Sequence, residues 1–353
     1  SLVTCCGSAV DLSATCMEQA AVAVWRMPVL LLAPLVKAIV KAVLIIVLAA
    51  GFIHLLSTGD VTGLGRQREV SYTDAQKWMI AIYVVVSFWV FAFVTALYQF
   101  SIAYSVASYY VADIDDDSGK DVACCIVCKG VNVGLRYHTG SLAYGSAFVA
   151  ILELAQRVVE WADKKNKLEG NNQCVACILR SVLCACRCLE SMLKFVNKNA
   201  YISIALTSDG FCTAVRNVMR IAIDHGVAMA ILNGATFVFQ VVGLAAITAT
   251  SGLLANFLLT REPFTDVSSE YFVSDPGWAI AASCALAFVV AWAFMAIFDV
   301  ASDTLLICHA EDMSKSGGRR TQHNKEIARI YAEAERKAAE MQADKCTAAE
   351  ASD

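Results

Sequence analysis

The sequence predicts an all-α, polytopic membrane protein. Of its 353 residues, 58% are hydrophobic and only 17% are charged, whereas a soluble domain carries about 25% charged residues. Residues 78–112 and 226–260 contain no Asp, Glu, Lys or Arg, and about 20 such residues are enough for a helix to cross the bilayer core. Each span is expected to be helical, because lipid offers no partners to the backbone polar groups of an open strand.

Four clear spans follow from the charge pattern. The apolar stretches are 28–56, 78–112, 226–260 and 277–309. The first is interrupted only by Lys37, Lys41 and His54. A run of 35 residues, such as the second or third, extends about 52 Å as one helix and exceeds the thickness of the hydrocarbon core. We therefore expect the long helices to tilt or to continue beyond the membrane.

Basic residues predict the orientation of the chain. Residues 157–198 and 315–345 each contain eight Lys and Arg residues, and such segments are retained on the cytoplasmic side. Residues 261–276 form an acidic link with a single Arg. We expect the C-terminus to be cytoplasmic and the last two spans to form a hairpin that turns outside at this link.

The same pattern divides the chain into six segments. They are a cytoplasmic lead-in (1–27), a transmembrane hairpin (28–112), an acidic, cysteine-containing cytoplasmic link (113–137), a central region (138–225), a C-terminal transmembrane hairpin (226–309) and a charged cytoplasmic tail (310–353). The apolar segments of the central region are interrupted by charges, so they fit either spans packed against protein or amphipathic helices on the inner surface. Within it, Glu153 and Arg157 lie four residues apart and predict an intramolecular ion pair.

The central region also contains a cluster of cysteines. Its members are Cys174, Cys177, Cys184, Cys186 and Cys188. No His lies among them and the second half reads C-x-C-x-C, which is a poor match to the spacing of a tetrahedral zinc site. We predict no metal here, and instead reduced thiols next to the membrane that are open to acylation.

Motifs of soluble enzymes are absent from the sequence. There is no Gly-rich phosphate loop, no H-E-x-x-H and no G-x-S-x-G, so we predict neither an enzyme nor a cofactor. The formal net charge of −4 gives no case for nucleic-acid binding. A membrane enzyme is kept as a third hypothesis, and His138, His225 and His309 would be its histidines near the membrane.

Aromatic residues supply candidate binding groups. Ring faces attract quaternary ammonium ions, and the second apolar run places Trp89 one helical turn from Phe93 and Phe100 one turn from Tyr104. Trp292 adds a ring in the last span. Trp89, Phe93, Tyr104 and Trp292 are therefore our candidate substrate-binding residues. The alternative is that these rings form interfacial belts or face lipid and neighbouring helices.

Two acidic residues near the end of the last span are candidate coupling groups. Asp299 and Asp303 lie four residues apart and share one helix face. Placing a carboxylate at bilayer depth costs free energy, so such residues generally pair with another group or line a substrate or proton pathway. We predict that they act as counter-charge or in proton coupling; the alternative is that they are solvated charges at the headgroup level.

Three motifs resemble those of the choline transporter-like family. His138-Thr-Gly-Ser-Leu-Ala-Tyr-Gly-Ser146 is similar to the family's H-x-G-[ST]-x-A-x-G-S segment. The run from Cys184 to Tyr201, followed by Phe211-Cys-Thr-Ala and Arg216-Asn217, resembles C-L-E-K-x-x-x-x-x-N-x-N-A-Y and F-C-x-[SA]-A. Asp303-Thr-Leu-Leu-Ile-Cys-His-Ala-Glu-Asp312 resembles V-D-T-L-F-L-C-F-x-x-D. The motifs occur in family order, and the resemblance extends from about residue 96 to 312.

The resemblance implies a fold and a function. Members of this family have about ten spans, both ends cytoplasmic and an external domain after the first span. This chain would supply the C-terminal six spans, two of them in 138–225, beside the N-terminal spans of a full-length parent. The implied function is transport of choline, or in some members ethanolamine, across a plasma or organelle membrane without ATP hydrolysis. The alternative is a channel, lipid-handling or adhesion protein of the same fold without choline flux.

Overall fold

The computed structural model describes most of the membrane-spanning part of the chain. The described residues are 19–62, 69–111, 114–115, 119–120, 125–168, 173–224, 226–262, 264–266 and 269–316. Most of the predicted lead-in, part of the acidic link (113, 116–118 and 121–124), His225 and the tail from residue 317 onward lie outside the described residues.

Helices make up nearly all of the described chain. Residues 19–26 are helical, and a 3-10 helix follows at Pro28–Leu32. The α-helices are α1 (Ala33–Leu56), α2 (Asp74–Val111), α3 (Ile126–Tyr137), α4 (Thr139–Leu168), α5 (Gln173–Thr207), α6 (Phe211–Asp224), α7 (Gly226–Leu259) and α8 (Pro276–Ser316). Two short antiparallel ladders pair β1 (Asp60–Thr62) with β2 (Glu69–Ser71) and β3 (Ile114–Asp115) with β4 (Gly119–Lys120). The predicted all-α class is confirmed.

Five of the described helices are long and apolar enough to cross a membrane. They cover Pro28–Leu56, Asp74–Val111, Thr139–Leu168, Asn233–Leu259 and Pro276–Cys308. Four correspond to the clear spans of the sequence analysis, and the fifth lies in the central region. Helix α5 is not among these five, since charged residues such as Arg180, Arg187 and Glu190 interrupt its apolar stretch, so a second span in the central region stays a prediction.

The start of α2 is determined by local side-chain chemistry. Thr73 precedes the helix, and its Oγ1 accepts a hydrogen bond from the backbone N–H of Gln76 at 3.4 Å, while Gln76 Oε1 accepts one from the Thr73 N–H at 2.8 Å. This reciprocal pair is a capping box, which satisfies two N–H groups at the open end of a helix. The helix therefore begins at Asp74, four residues before the charge-free run.

The described chain forms two compact units. The aromatic unit consists of Leu35–Ser105 and Cys125–Arg220, and the hairpin unit contains the segments up to Pro34, from Val106 to Cys124 and from Ile221 onward. The core of the aromatic unit is a cluster of buried residues from four helices. Its members are Ala96, Phe100, Leu142, Ala200, Tyr201, Ile204 and Ala214.

The hairpin unit is built on the antiparallel pair α7 and α8. Small residues allow the two helices to approach closely, as they do in membrane bundles generally. Ser251 Oγ and Ser283 Oγ are 3.0 Å apart, and Thr236 Oγ1 lies 3.4 Å from Ser302 Oγ. The 3-10 helix at Pro28–Leu32 packs against α8. Residues 301–308 of α8 are buried on every face, so protein, and not lipid, surrounds this part of the helix.

Candidate substrate site

The ring of Trp89 connects α2 to α4 in the aromatic unit. Its Nε1–H donates a hydrogen bond to the carbonyl oxygen of Ala143 at 2.9 Å. The side chain remains 39% exposed. An indole N–H usually finds an acceptor in an apolar environment, and here the acceptor fixes the ring while part of the ring surface stays accessible.

The other two candidate rings of α2 lie against the core. Phe93 and Tyr104 are half-buried and pack on the core cluster of the aromatic unit. Tyr104 also stacks on Phe100, with ring centroids 6.3 Å apart. Phe100 is fully buried and contacts the His138 ring at 5.4 Å. The aromatic run of α2 therefore supplies both core packing and partly accessible rings.

The remaining candidates lie on α8 in the hairpin unit. Trp292, Asp299 and Asp303 are seven and four residues apart and share one face of the helix. That face changes character along the helix, because Trp292 is 64% exposed whereas Asp303 is only 3% exposed. Asp299 is half-buried. The Trp292 ring packs beside Phe288, with ring centroids 6.1 Å apart. The structure thus places a deeply buried carboxylate, that of Asp303, near the end of the last span.

The first two family motifs contact one another inside the aromatic unit. Asn197 Nδ2 donates a hydrogen bond to the Gly145 carbonyl oxygen at 2.7 Å. Gly145 faces the Tyr201 hydroxyl and the Phe211 ring so closely that a Cβ added there would lie 2.6 Å from one and 2.5 Å from the other. The motif residues of α4, α5 and α6 are therefore packing partners.

A charged network lies along the contact between α4 and α5. Lys194 Nζ is 2.8 Å from Glu153 and also pairs with Glu190, which accepts a hydrogen bond from Gln156. Sequence spacing predicted a pair between Glu153 and Arg157. The structure instead gives Glu153 a partner 41 residues away in sequence, Lys194.

Two helical turns from the Glu153–Lys194 pair, the same helix contact contains a second set of paired charges. Glu160 lies 3.2 Å from Arg187 and 3.4 Å from Arg157. Arg157 is therefore paired within its own helix, but with the residue three positions later. Helix spacing alone favours a partner four residues away as much as one three residues away. The choice of Glu160 over Glu153 as the partner of Arg157 therefore depends on the contact between α4 and α5.

Sequence reasoning missed an ammonium group that sits over an aromatic ring. Lys37 Nζ of α1 lies 4.2 Å from the ring centroid of Tyr98 on α2. Both residues lie in the aromatic unit. The sequence showed Lys37 as an interruption of an apolar run and Tyr98 as one of many rings, and nothing in either pattern pairs residues 61 positions apart.

The cysteines of α5 are free thiols. Cys174, Cys177, Cys184 and Cys188 are exposed, and Cys186 is half-buried. Within the described residues, no group of three His, Cys, Asp or Glu side chains is arranged to hold a metal ion.

Comparison with known proteins gives a consistent set of relatives. Residues 2–314 match the family model described as plasma-membrane choline transporter. The chain is 31% identical over 255 residues to choline transporter-like protein 2 of Xenopus laevis, covering 70% of this chain and 34% of that protein. It is 32% identical over 236 residues to choline transporter-like protein 5-A of Danio rerio, covering 66% of this chain and 33% of that protein.

The matched region is a limited part of each relative. A further similar protein, choline transporter-like protein 4 of Xenopus laevis, is 32% identical over 243 residues, which cover 68% of this chain and 34% of that protein. The chain spans about a third of the length of the curated relatives that it matches. All of these relatives carry names of transporters.

Proposed function

The chain belongs to the family of plasma-membrane choline transporters, and we propose that it forms part of the path by which choline or a related organic cation, such as ethanolamine, crosses a membrane. The observation that carries the proposal is the match of residues 2–314 to the family. As the resemblance to the family implies, the proposed transport does not use ATP hydrolysis. The proposed membrane is the plasma membrane or that of an organelle, with the C-terminus cytoplasmic.

Cation–π attraction is the proposed basis of substrate binding. Rings at Trp89, Phe93, Tyr104 and Trp292 are the candidates, because a ring face attracts a quaternary ammonium ion without forming a hydrogen bond. Trp89 has the most favourable geometry of the four, since its hydrogen bond to Ala143 holds a partly exposed ring in place.

Asp299 and Asp303 are the proposed counter-charge or coupling groups. A carboxylate enclosed by protein attracts a cation more strongly than one in water, because the surrounding dielectric is low. Asp303 meets this condition, as its side chain is almost fully buried on α8. A substitution to Asn keeps the size of the side chain and removes the charge, so Asp303→Asn is expected to lower the rate of uptake.

Uptake into vesicles tests the proposal directly. Radiolabelled choline is offered to proteoliposomes that contain the full-length protein, with unlabelled ethanolamine and a bulkier quaternary amine as competitors. Saturable uptake that these amines inhibit is expected of a transporter. Uptake equal to that of empty vesicles, by protein shown to be folded and inserted, would reject choline transport.

A single substitution tests the role of the Trp89 ring. Trp89→Leu keeps the position apolar and removes the ring, so the apparent KM for choline should rise by about 2- to 30-fold, the range that corresponds to loss of one cation–π contact. Trp278→Leu is the matched control, since it makes the same change at an exposed tryptophan of α8 that is not a candidate contact. An unchanged KM with normal expression of Trp89→Leu would remove this ring from the proposed site.

A further inference from the structure

A lysine ammonium lies on an aromatic ring at the contact between α1 and α2. Lys37 Nζ is 4.2 Å from the centroid of the Tyr98 ring, well within the distance at which a cation is held by a ring face. Both side chains are half-buried. Within the described part of the chain, no carboxylate forms an ion pair with Lys37, so the ring is the group that compensates this charge.

The sequence of α1 directs this lysine toward α2. From Lys37 to Gly51, the half-buried residues of the helix recur at spacings of four, three, four and three. They are Lys37, Lys41, Leu44, Leu48 and Gly51. This is the repeat of a single packed face on a helix, and the other large apolar side chains between Lys37 and Gly51 are exposed. The lysines therefore lie on the packed face and do not point directly into lipid.

The same face is fixed against α2 further along. The Tyr83 hydroxyl donates a hydrogen bond to the Leu48 carbonyl oxygen at 2.9 Å. The Tyr83 ring stacks on Phe52 with centroids 6.2 Å apart. Because the two helices run antiparallel, this contact near the end of α1 places the start of α1, with Lys37, beside the later residues of α2, where Tyr98 lies.

A ring that holds one ammonium ion can hold another. The attraction arises from the negative potential over the ring face, and it acts on the quaternary ammonium of choline as it does on lysine. Both cannot occupy the same face. The lysine stem is flexible and long enough to carry its charge away from the ring when the ring face is taken, and Lys37 lies in the N-terminal half of the span Pro28–Leu56.

We propose that the face of Tyr98 is a binding station for the quaternary ammonium group of the substrate, and that Lys37 is a tethered cation that occupies this station when substrate is absent. This inference rests on the proposed function. Substrate binding at the station is then an exchange of one cation for another, so the tether lowers the apparent affinity for substrate and keeps the ring face covered between transport cycles.

Substitution of the lysine gives the main test. Lys37→Met keeps the length and apolar character of the stem and removes the competing charge, so the KM for choline uptake should fall several-fold. Lys41→Met is the matched control, because Lys41 lies one turn away on the same packed face and no ring of the described residues holds it. Its KM should stay within about twofold of the wild type.

Substitution of the ring completes the test. Tyr98→Leu should raise the KM by about 2- to 30-fold through loss of the cation–π contact, and Lys37→Met should have no further effect in that background. Tyr98→Phe retains the ring and should behave as the wild type. If Lys37 had a purely structural role, Lys37→Met would change the thermal stability and leave the KM unchanged.

The outcomes separate this inference from the proposed function. Saturable choline uptake by the wild type, with an unchanged KM in Lys37→Met, overturns the station and leaves the transporter proposal intact. Absence of saturable uptake by folded wild-type protein overturns both. If Tyr98→Leu does not fold, the other two variants still test the binding station. The station requires a lowered KM in Lys37→Met and a wild-type KM in Tyr98→Phe.

Discussion

A methyl group added at Gly145 should destabilise the aromatic unit. The glycine is buried in α4. A Cβ at this position would lie 2.5 Å from Phe211 Cε2 and 2.6 Å from the Tyr201 hydroxyl oxygen. Tyr201 is itself buried in the core cluster, so neither ring can move without disturbing other packed side chains.

Two opposing effects set the magnitude. Replacing Gly by Ala inside a helix gains about 1 kcal/mol from backbone propensity. Forcing a methyl group into a packed core costs about 1–3 kcal/mol, and two contacts below 3.0 Å place this site in the upper part of that range. The net expectation for Gly145→Ala is therefore a loss of about 1–2 kcal/mol, or a fall of about 2–8 °C in the melting temperature.

Gly140 provides a matched control in the same helix and the same motif. A Cβ at Gly140 meets no atom within 4 Å, so Gly140→Ala should gain about 0.5 kcal/mol and melt at or slightly above the wild type. The assay is thermal unfolding of each detergent-solubilised variant, followed by size-exclusion fluorescence. Equal melting temperatures for the two variants, or a Gly145→Ala protein more stable than the wild type, would refute the packing argument.

Three further predictions concern other parts of the chain. Lys194→Met leaves the carboxylates on α4 and α5 without their shared ammonium, so it should lower the stability of the fold by about 1 kcal/mol. The same melting assay measures this loss. Adding Glu190→Gln to this variant should recover part of the lost stability. Ser208 adopts a left-handed backbone conformation with φ of 60° after α5, so Ser208→Gly should stabilise by about 1 kcal/mol, and a lower melting point would contradict this. In single-cysteine variants, the exposed Cys188 should react with maleimide at least tenfold faster than Cys308, which is 1% exposed. Similar rates would show that Cys308 on α8 is accessible to solvent, which would contradict its burial.

The sequence predicts the helices of this protein well because their cause is local. Charge-free runs of the length of a bilayer have one stable backbone solution in lipid, and each of the four clear spans corresponds to a described helix that is long enough to cross a membrane. The start of α2 at the cap formed by Thr73 and Gln76 was not predicted, because the charge pattern places the span from residue 78 onward. The central region is harder, since α4 contains an apolar stretch long enough for a span whereas charged residues interrupt that of the neighbouring α5.

Partners of the charged residues could not be read from the sequence. Spacing along a helix suggested Arg157 for Glu153, but the observed partner, Lys194, is on another helix. A helix turn restricts which residues can meet within one element, whereas the choice among elements depends on packing. The same reason explains why the contact of Lys37 with Tyr98 was not anticipated.

The positions of the motifs relative to the cation–ring contacts bear on where function should be tested. Residues of the first two motifs, Gly145, Asn197 and Tyr201, contact one another through a hydrogen bond and close packing. Lys37, which lies on a ring at 4.2 Å, belongs to none of the three motifs. The resemblance to the family is therefore carried largely by residues that shape the helix contacts. Substitutions at the motifs are expected to report on folding, and those at rings outside them on the affinity for substrate.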